Sequence, residues 1–245
     1  MNTYDESTYG ERISGIYDQL YSSFDEASIE TLAELAKGGP ALELGIGTGR
    51  IALPLQRKGV KVQGIDASKA MVEKLRTKPG GEDVPVTLGN FSEVAVEGQF
   101  PLIFVIFNTF FGLLEQDLQI RCFKNVAQHL GPEGVFLMEV FVPDLARFTG
   151  QQTFRVVAID ENQVRLEASQ HDSVNQQVTS RHVHLSEEGV QLYPVKLRYA
   201  WPSELDLMAR LAGLELKHRW GDWDRSPFSA DSDRHISVYG HPQAV

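Results

Sequence analysis

The sequence predicts an α/β fold: a doubly wound, mostly parallel sheet that carries an inserted antiparallel β layer. Three observations carry this reading. Strand-like and helix-like periodicities alternate through the first 142 residues. Three glycines at alternate positions, Gly45, Gly47 and Gly49, stand between a strand and a helix. From Phe154 the pattern changes to short apolar runs separated by polar turns such as Asp160-Glu161-Asn162, which suits antiparallel pairing.

The elements follow in order. Arg12 to Tyr21 carries apolar or aromatic residues at Ile13, Ile16, Tyr17, Leu20 and Tyr21, a helical stripe. Ser28 to Lys37 is a second amphipathic helix, stopped by Gly38-Gly39-Pro40. Ala41 to Leu44 reads as a short strand entering the glycine turn, and Arg50 to Lys58 as the helix leaving it. Val60 to Ile65 is the next strand, and Ser68 caps a helix whose inner side is Met71, Val72 and Leu75. Val84 to Leu88 and the unbroken apolar run Leu102 to Phe107 are strands, the second typical of a sheet centre. Gln116 to Leu130 is a helix ended by Gly131-Pro132, and Val135 to Val142 is another buried strand. Repeated strand-helix-strand units imply right-handed crossovers.

The antiparallel layer is read as Phe154 to Ile159, Val164 to Ala168, Gln177 to Leu185 and Val190 to Tyr199. A helix from Pro202 to Ala212 follows, with Pro202 in its first turn and Gly213 after its end. Strands at Leu214 to Arg219 and His235 to Tyr239 complete the sheet.

Composition narrows the function. The 245 residues are 42% apolar and 23% charged, which suits one large α/β domain with a modest insertion. The longest apolar stretch is far too short to cross a bilayer, and the acidic N-terminus lacks the basic and apolar regions of a signal peptide, so a cytoplasmic protein without membrane contact is expected. A single cysteine, Cys122, leaves no internal disulfide and no multi-cysteine metal site. The formal net charge of -10, with basic residues scattered, disfavours a nucleic-acid partner. His182 and His184 share a face of one strand by period 2, but without a third ligand no metal is expected.

The most informative segment is Leu42-Glu43-Leu44-Gly45-Ile46-Gly47-Thr48-Gly49-Arg50. Missing side chains permit a tight turn and let a ligand lie on the backbone. A dinucleotide fingerprint needs Gly or Ala where this chain has Arg50. Glu43, at the carboxyl end of its strand, suits a ligand with a cationic end, such as an ammonium group, better than a pyrophosphate. Asp66, at the end of the next strand, can accept hydrogen bonds from ribose hydroxyls. Together these describe a nucleoside joined to an amino acid.

Those residues resemble the class I S-adenosylmethionine-dependent methyltransferases. Glu43 to Gly49 is similar to the family's motif I, Gly64-Ile65-Asp66-Ala67-Ser68 to its ribose-binding segment, and Gly89-Asn90-Phe91 to its adenine-side segment, where Asp is commoner than Asn90. The resemblance covers nearly the whole chain and implies a Rossmann-like fold, S-adenosyl-L-methionine as cofactor, and a small-molecule methyl acceptor. It places Tyr17, Glu43, Gly45, Gly47, Thr48, Asp66, Ala67, Asn90, Phe91 and Phe107 around the cofactor.

The N-terminal pattern Tyr9-Gly10-x-x-Ile13-x-x-Ile16-Tyr17-Asp18-x-x-Tyr21 looks like the lid helix of amino-sugar N-methyltransferases, which implies Tyr9 near the transferred methyl and Tyr17 at the methionine end. Anchoring of an amphipathic helix is the other reading of both tyrosines. Those enzymes carry a histidine base at the position of Gly112, so this chain departs from them there. Asn108 and His171 are then the further catalytic candidates, with a turn-forming role the alternative for Asn108. Arg198, Tyr199, Trp223 and Phe228, in segments similar to the C-terminal part of small-molecule methyltransferases, are expected to line the acceptor site, with core packing the alternative.

The expected organisation is one domain over 1–245. Within it, 1–37 form lid helices, 38–150 and 200–245 the cofactor-binding core, and 151–199 an antiparallel insertion covering the acceptor. The expected function is methyl transfer to a nitrogen or oxygen of a small molecule by a monomer or homodimer. A non-catalytic S-adenosylmethionine-binding regulator and an NAD-dependent oxidoreductase are the alternatives.

Overall fold

The computed structural model of the protein describes residues 4–242. Its main sheet has seven strands in the order β10-β11-β5-β4-β1-β2-β3. The strands are β1 (Ala41–Leu44), β2 (Val62–Asp66), β3 (Val86–Leu88), β4 (Phe100–Val105), β5 (Leu130–Phe141), β10 (Glu215–Trp220) and β11 (Arg234–Gly240). β3, β2, β1, β4 and β5 run parallel, and β11 closes antiparallel to both β5 and β10. All four residues of β1 are buried, as expected of a strand covered on both faces.

Helices α3 (Glu26–Ala36), α4 (Ala52–Arg57), α5 (Lys69–Arg76), α6 (Gln116–His129) and α7 (Pro202–Leu211) cover the two faces. Ser68 does cap α5, accepting from the Met71 amide at 3.2 Å, and Met71, Val72 and Leu75 are its buried side. α3 is capped by Asp25, which accepts from Ala27, and ends at Lys37 in the left-handed conformation.

The second sheet is the antiparallel meander β6 (Gln152–Ile159), β7 (Gln163–Asp172), β8 (Gln177–Ser186) and β9 (Gly189–Arg198), inserted between β5 and α7. Its register sets Glu167 against His182, Ser169 against Ser180, and Ser180 against Val195. With side chains alternating between faces, these residues share one face of the layer.

Two local expectations differ. The stripe from Arg12 to Tyr21 is not one helix: α1 (Thr8–Ile13) and α2 (Tyr17–Leu20) are separate, and the chain breaks at 14–16, where Gly15 lowers helix preference. The Gly131-Pro132 pair does not sit in a loop between helix and strand. β5 begins directly at Leu130, and its pairing with β4 jumps from Phe100↔Leu130 to Leu102↔Val135, so the Gly-Pro pair occupies an irregularity in the ladder where a missing N–H costs nothing.

The strand order reverses between β1 and β4. In open α/β sheets the crevice outside the carboxyl ends of such a pair is where ligands bind. The glycine turn after β1 and the segment Phe107-Asn108 after β4 meet there.

Candidate active site

A cavity of about 620 Å³ opens at this switch point. One end is formed by Gly45, Gly47, Asp66, Ala67, Asn90, Phe91 and Phe107, the other by Val178, Ser180, His182, Val195, Leu197 and Tyr199 of the antiparallel sheet, with Tyr9, Tyr17 and Tyr21 of the N-terminal segment over it.

The glycine turn is fixed by sterics. Gly45 has φ +76°, and a Cβ there would collide with the Thr109 methyl; Gly49 has the same φ, and its Cβ would strike Leu75. Asp66 clamps this turn: its Oδ2 accepts from the Gly47 amide at 2.7 Å and its Oδ1 from the Ser68 amide at 2.8 Å. Burial pushes its carboxyl above the usual carboxylate range, and the Ser68 and Gly47 bonds oppose that.

Glu43 is 4% exposed, and burial drives its carboxyl well above the ordinary range, opposed by Arg50. Among the described residues, buried Glu43 Oε2 and Arg50 Nε have no hydrogen-bond partner. Unmet buried groups of opposite charge are costly. Neither residue lines the cavity itself, but a zwitterionic amino-acid end beside the glycine turn would supply what both lack, an ammonium for Glu43 and a carboxylate for Arg50. The Arg50 guanidinium lies 4.3 Å from the centroid of the Phe107 ring, and Tyr21 meets that ring edge-on at 4.9 Å. Burial raises the Tyr17 phenol to about 12, with Arg50 opposing. Arg50 is the residue that sequence reasoning missed here: it served only as a departure from the dinucleotide fingerprint.

Several expected positions take other work. Thr48 does not face the cavity; its Oγ1 donates to Asp18 Oδ1 at 2.6 Å, and Lys78 Nζ donates to the same Asp18 oxygen at 2.8 Å and to the Thr48 carbonyl at 2.7 Å. Asn90 lines the cavity, but its side-chain oxygen already accepts from the Ser92 amide at 2.9 Å. Asn108 also lines it, at φ +66°, yet its oxygen accepts from the Phe141 amide at 2.7 Å, tying the ends of β4 and β5.

Three of the four expected acceptor contacts lie outside the lining. Arg198 is buried in a polar knot, donating to Gln119 Oε1 at 2.6 Å and to Glu204 Oε1 at 2.7 Å, because β9 turns that side chain toward α6 and α7. Trp223 is 4% exposed and donates its indole N–H to Glu139 Oε1 at 3.2 Å, while Glu139 Oε2 accepts the Phe107 amide at 3.0 Å. Phe228 packs edge-on against His235 at 5.6 Å. Tyr199 does line the cavity, and its hydroxyl shares a 2.9 Å hydrogen bond with His171 Nε2. His171 itself is not in the lining; it stands behind Tyr199 and stacks on Phe148 at 5.0 Å, and both of those rings line the cavity. Tyr9 lines the cavity, and burial raises its phenol far beyond its ordinary range, so it stays protonated.

The polar floor of the cavity went unseen in the sequence. Glu167 is 5% exposed; its Oε2 accepts from Arg155 Nε at 2.9 Å and its Oε1 from Ser169 Oγ at 2.8 Å. Burial raises that carboxyl, but the hydrogen bonds from Arg155 and Ser169 outweigh it and hold the group below its usual value. His182 lies opposite. Only the β7–β8 register brings these side chains together, and no spacing in the sequence reports it. Among the described residues no cluster of His, Cys, Asp and Glu could hold a metal ion, and no helix is long and apolar enough to cross a membrane.

Comparison with known proteins agrees with this geometry. Residues 41–134 match the family model for a methyltransferase domain. The chain is similar to the structure of the CcbJ methyltransferase from Streptomyces caelestis, with 40% identity, a TM-score of 0.90, and coverage of 98% of this chain and 100% of that one. It is 27% identical over 240 residues to the cypemycin N-terminal methyltransferase of a Streptomyces species, covering 96% of this chain and 98% of that protein. In fold alone it is also similar to S-adenosylmethionine-bound CalS10, an amino pentose methyltransferase from Micromonospora echinaspora, at 18% identity, a TM-score of 0.68 and 99% of each chain.

Proposed function

Since the chain belongs to the S-adenosylmethionine-dependent methyltransferases, we propose that it transfers the methyl group to a nitrogen or oxygen of a small-molecule acceptor. The observation that carries this is the continuity of the cavity from the glycine turn to the polar floor under the antiparallel sheet. Its volume is in the range of sites for small molecules. In this reading the antiparallel insertion covers the acceptor, and the N-terminal helices form the lid over the cofactor.

S-adenosylmethionine supplies an electrophilic methyl on a sulfonium. The residues that hold it are Glu43 and Arg50 at the amino-acid end, the glycine turn beneath, Asp66 and Ala67 at the ribose, and Asn90 and Phe91 at the adenine. Tyr17 and Phe107 close over the methionine side. The protein's main task is then to hold the acceptor in line with the methyl while keeping water out. Tyr9 stands over that position as a neutral hydroxyl, able to donate or accept one hydrogen bond.

We read the enzyme as a cytoplasmic monomer or homodimer; its net charge of -10 opposes a polyphosphate partner. The test is to incubate the protein with S-adenosylmethionine bearing a deuterated methyl and a bacterial small-molecule extract, and to follow the label by mass spectrometry. Label in a small-molecule product is the expected result. Tight cofactor binding with label in no product would overturn the reading in favour of a regulatory binder.

A further inference from the structure

We propose that the acceptor is an amine that enters the cavity protonated, and that His182 is the base that takes its proton. The inference rests on the methyl-acceptor reading of this cavity. Charge is the first observation. Asp5, Glu6, Asp66, Asp144, Glu167 and Asp233 line the cavity against Arg147, Arg155 and Lys196, six carboxylates to three cations. Four of those carboxylates, Asp5, Glu6, Asp144 and Asp233, are exposed, so the excess of negative charge lies at the mouth, where it attracts a cation and disfavours an anion.

The second observation is that the other bases within the cavity are engaged, while Asp5, Glu6, Asp144 and Asp233 are exposed and stand at its rim. The 3-10 turn Thr109–Gly112 carries no titratable side chain. His171 is screened by Tyr199, the Tyr9 phenol stays protonated, and both Glu167 oxygens are engaged by Arg155 and Ser169. Asp66 is committed to the Gly47 and Ser68 amides. His182 lines the cavity and carries its imidazole there beside Glu167.

Its surroundings suit a base. Facing it are Glu167 on β7, Arg155 on β6 and Tyr193 on β9, with His184 further along its own strand, and Tyr9, Asp144 and Arg147 lining the same cavity. Burial lowers the imidazole below its ordinary value, Glu167 raises it and Arg155 lowers it further, so the ring is neutral near pH 7 and can accept a proton. Glu167 then stabilises the imidazolium that forms. The imidazole takes one N–H proton from the ammonium and frees the nitrogen lone pair. That pair forms the new N–C bond as the C–S bond breaks onto sulfur, leaving a thioether and a methylated ammonium. The proton on His182 passes to solvent when product leaves.

The test uses the full chain loaded with S-adenosylhomocysteine and labelled with ¹⁵N-histidine. Benzylamine and its neutral isostere benzyl alcohol are the probes. Benzylamine should move the His182 ring resonances, and benzyl alcohol should not; equal shifts from both, or none from either, would overturn the proposal. This arm does not depend on finding the acceptor. On the acceptor recovered by the labelling experiment, His182→Asn and His182→Gln should lower kcat by about 10²-fold or more and remove the acidic limb of the kcat/KM profile. S-adenosylhomocysteine affinity, read by calorimetry, should stay unchanged and certify folding. An acidic limb and rate that survive in both variants refute the base. Label found on an acceptor oxygen refutes the amine while leaving the methyltransferase reading intact, and label on no acceptor refutes that reading and the inference with it.

Discussion

Asp18 on the second N-terminal helix accepts a 2.6 Å hydrogen bond from Thr48 Oγ1 in the glycine turn, and Lys78 joins the same carboxylate at 2.8 Å. The N-terminal helices, which we propose form the lid, are thereby fastened to the glycine turn. Glu11 adds a second tie, accepting from Ser68 Oγ at 2.9 Å and from the Ala70 amide at 3.0 Å.

Asp18→Asn should loosen this fastening. The pair is partly exposed, with side chains 27% and 42% accessible for Lys78 and Asp18, so the loss is modest, about 1 kcal/mol. Stopped-flow measurement should show S-adenosylhomocysteine leaving several-fold faster, with thermal stability nearly unchanged. An unchanged off-rate would mean that the Glu11 tie and the aromatic contacts hold the N-terminal helices without Asp18.

Asp66→Ala should weaken S-adenosylmethionine by more than about 1 kcal/mol, because the carboxylate that accepts from the Gly47 and Ser68 amides is also the group offered to the ribose. Calorimetry on the folded variant decides it; wild-type affinity would remove Asp66 from the cofactor site.

Arg198→Met should act on stability. The Arg198 and Glu204 side chains are 6% and 17% exposed, and removing one partner leaves the other carrying an uncompensated charge, a cost of about 3–5 kcal/mol. Urea denaturation should report the loss, while S-adenosylhomocysteine affinity of the folded fraction holds. A variant of full stability that no longer uses its acceptor would restore Arg198 to the acceptor site.

His235 gives an acid-sensitive core. Burial, with Arg219 adding to it, depresses its imidazole to about 4, against about 6.5 when unfolded. The unfolded chain therefore binds the extra proton first, and stability falls as pH drops through the window from about 6.5 to about 4, by roughly 3 kcal/mol from this group. His235→Gln should flatten the urea midpoint across that window; an equally steep decline in the variant would assign it to other groups.

Much of the cofactor end was legible because it is local. Strand, turn and helix from Ala41 to Arg57 are consecutive, and the glycines, Glu43 and Asp66 take their places from short-range geometry that spacing encodes. Ser68 as a cap and the alternating strands from Phe154 were readable for the same reason. The broken lid helix, by contrast, was hidden because its apolar stripe is intact; the break at Gly15 and the Asp18 fastening show only once Thr48 and Lys78 are placed beside it.

The sequence by itself determined the α/β class, the strand-turn-helix unit around the glycines and the chemistry of the ligand that turn receives, since backbone sterics and periodicity act between near neighbours. Only the tertiary structure decided which side chains line the cavity. It turned Arg198 and Trp223 into buried hydrogen-bonding partners, set His171 behind Tyr199, and brought Glu167 and His182 face to face. Trp223 is placed by the turn between β10 and β11. For Arg198, His171, Glu167 and His182 the outcome depends on strand register and on which face each strand presents, and a one-residue slip would reverse it.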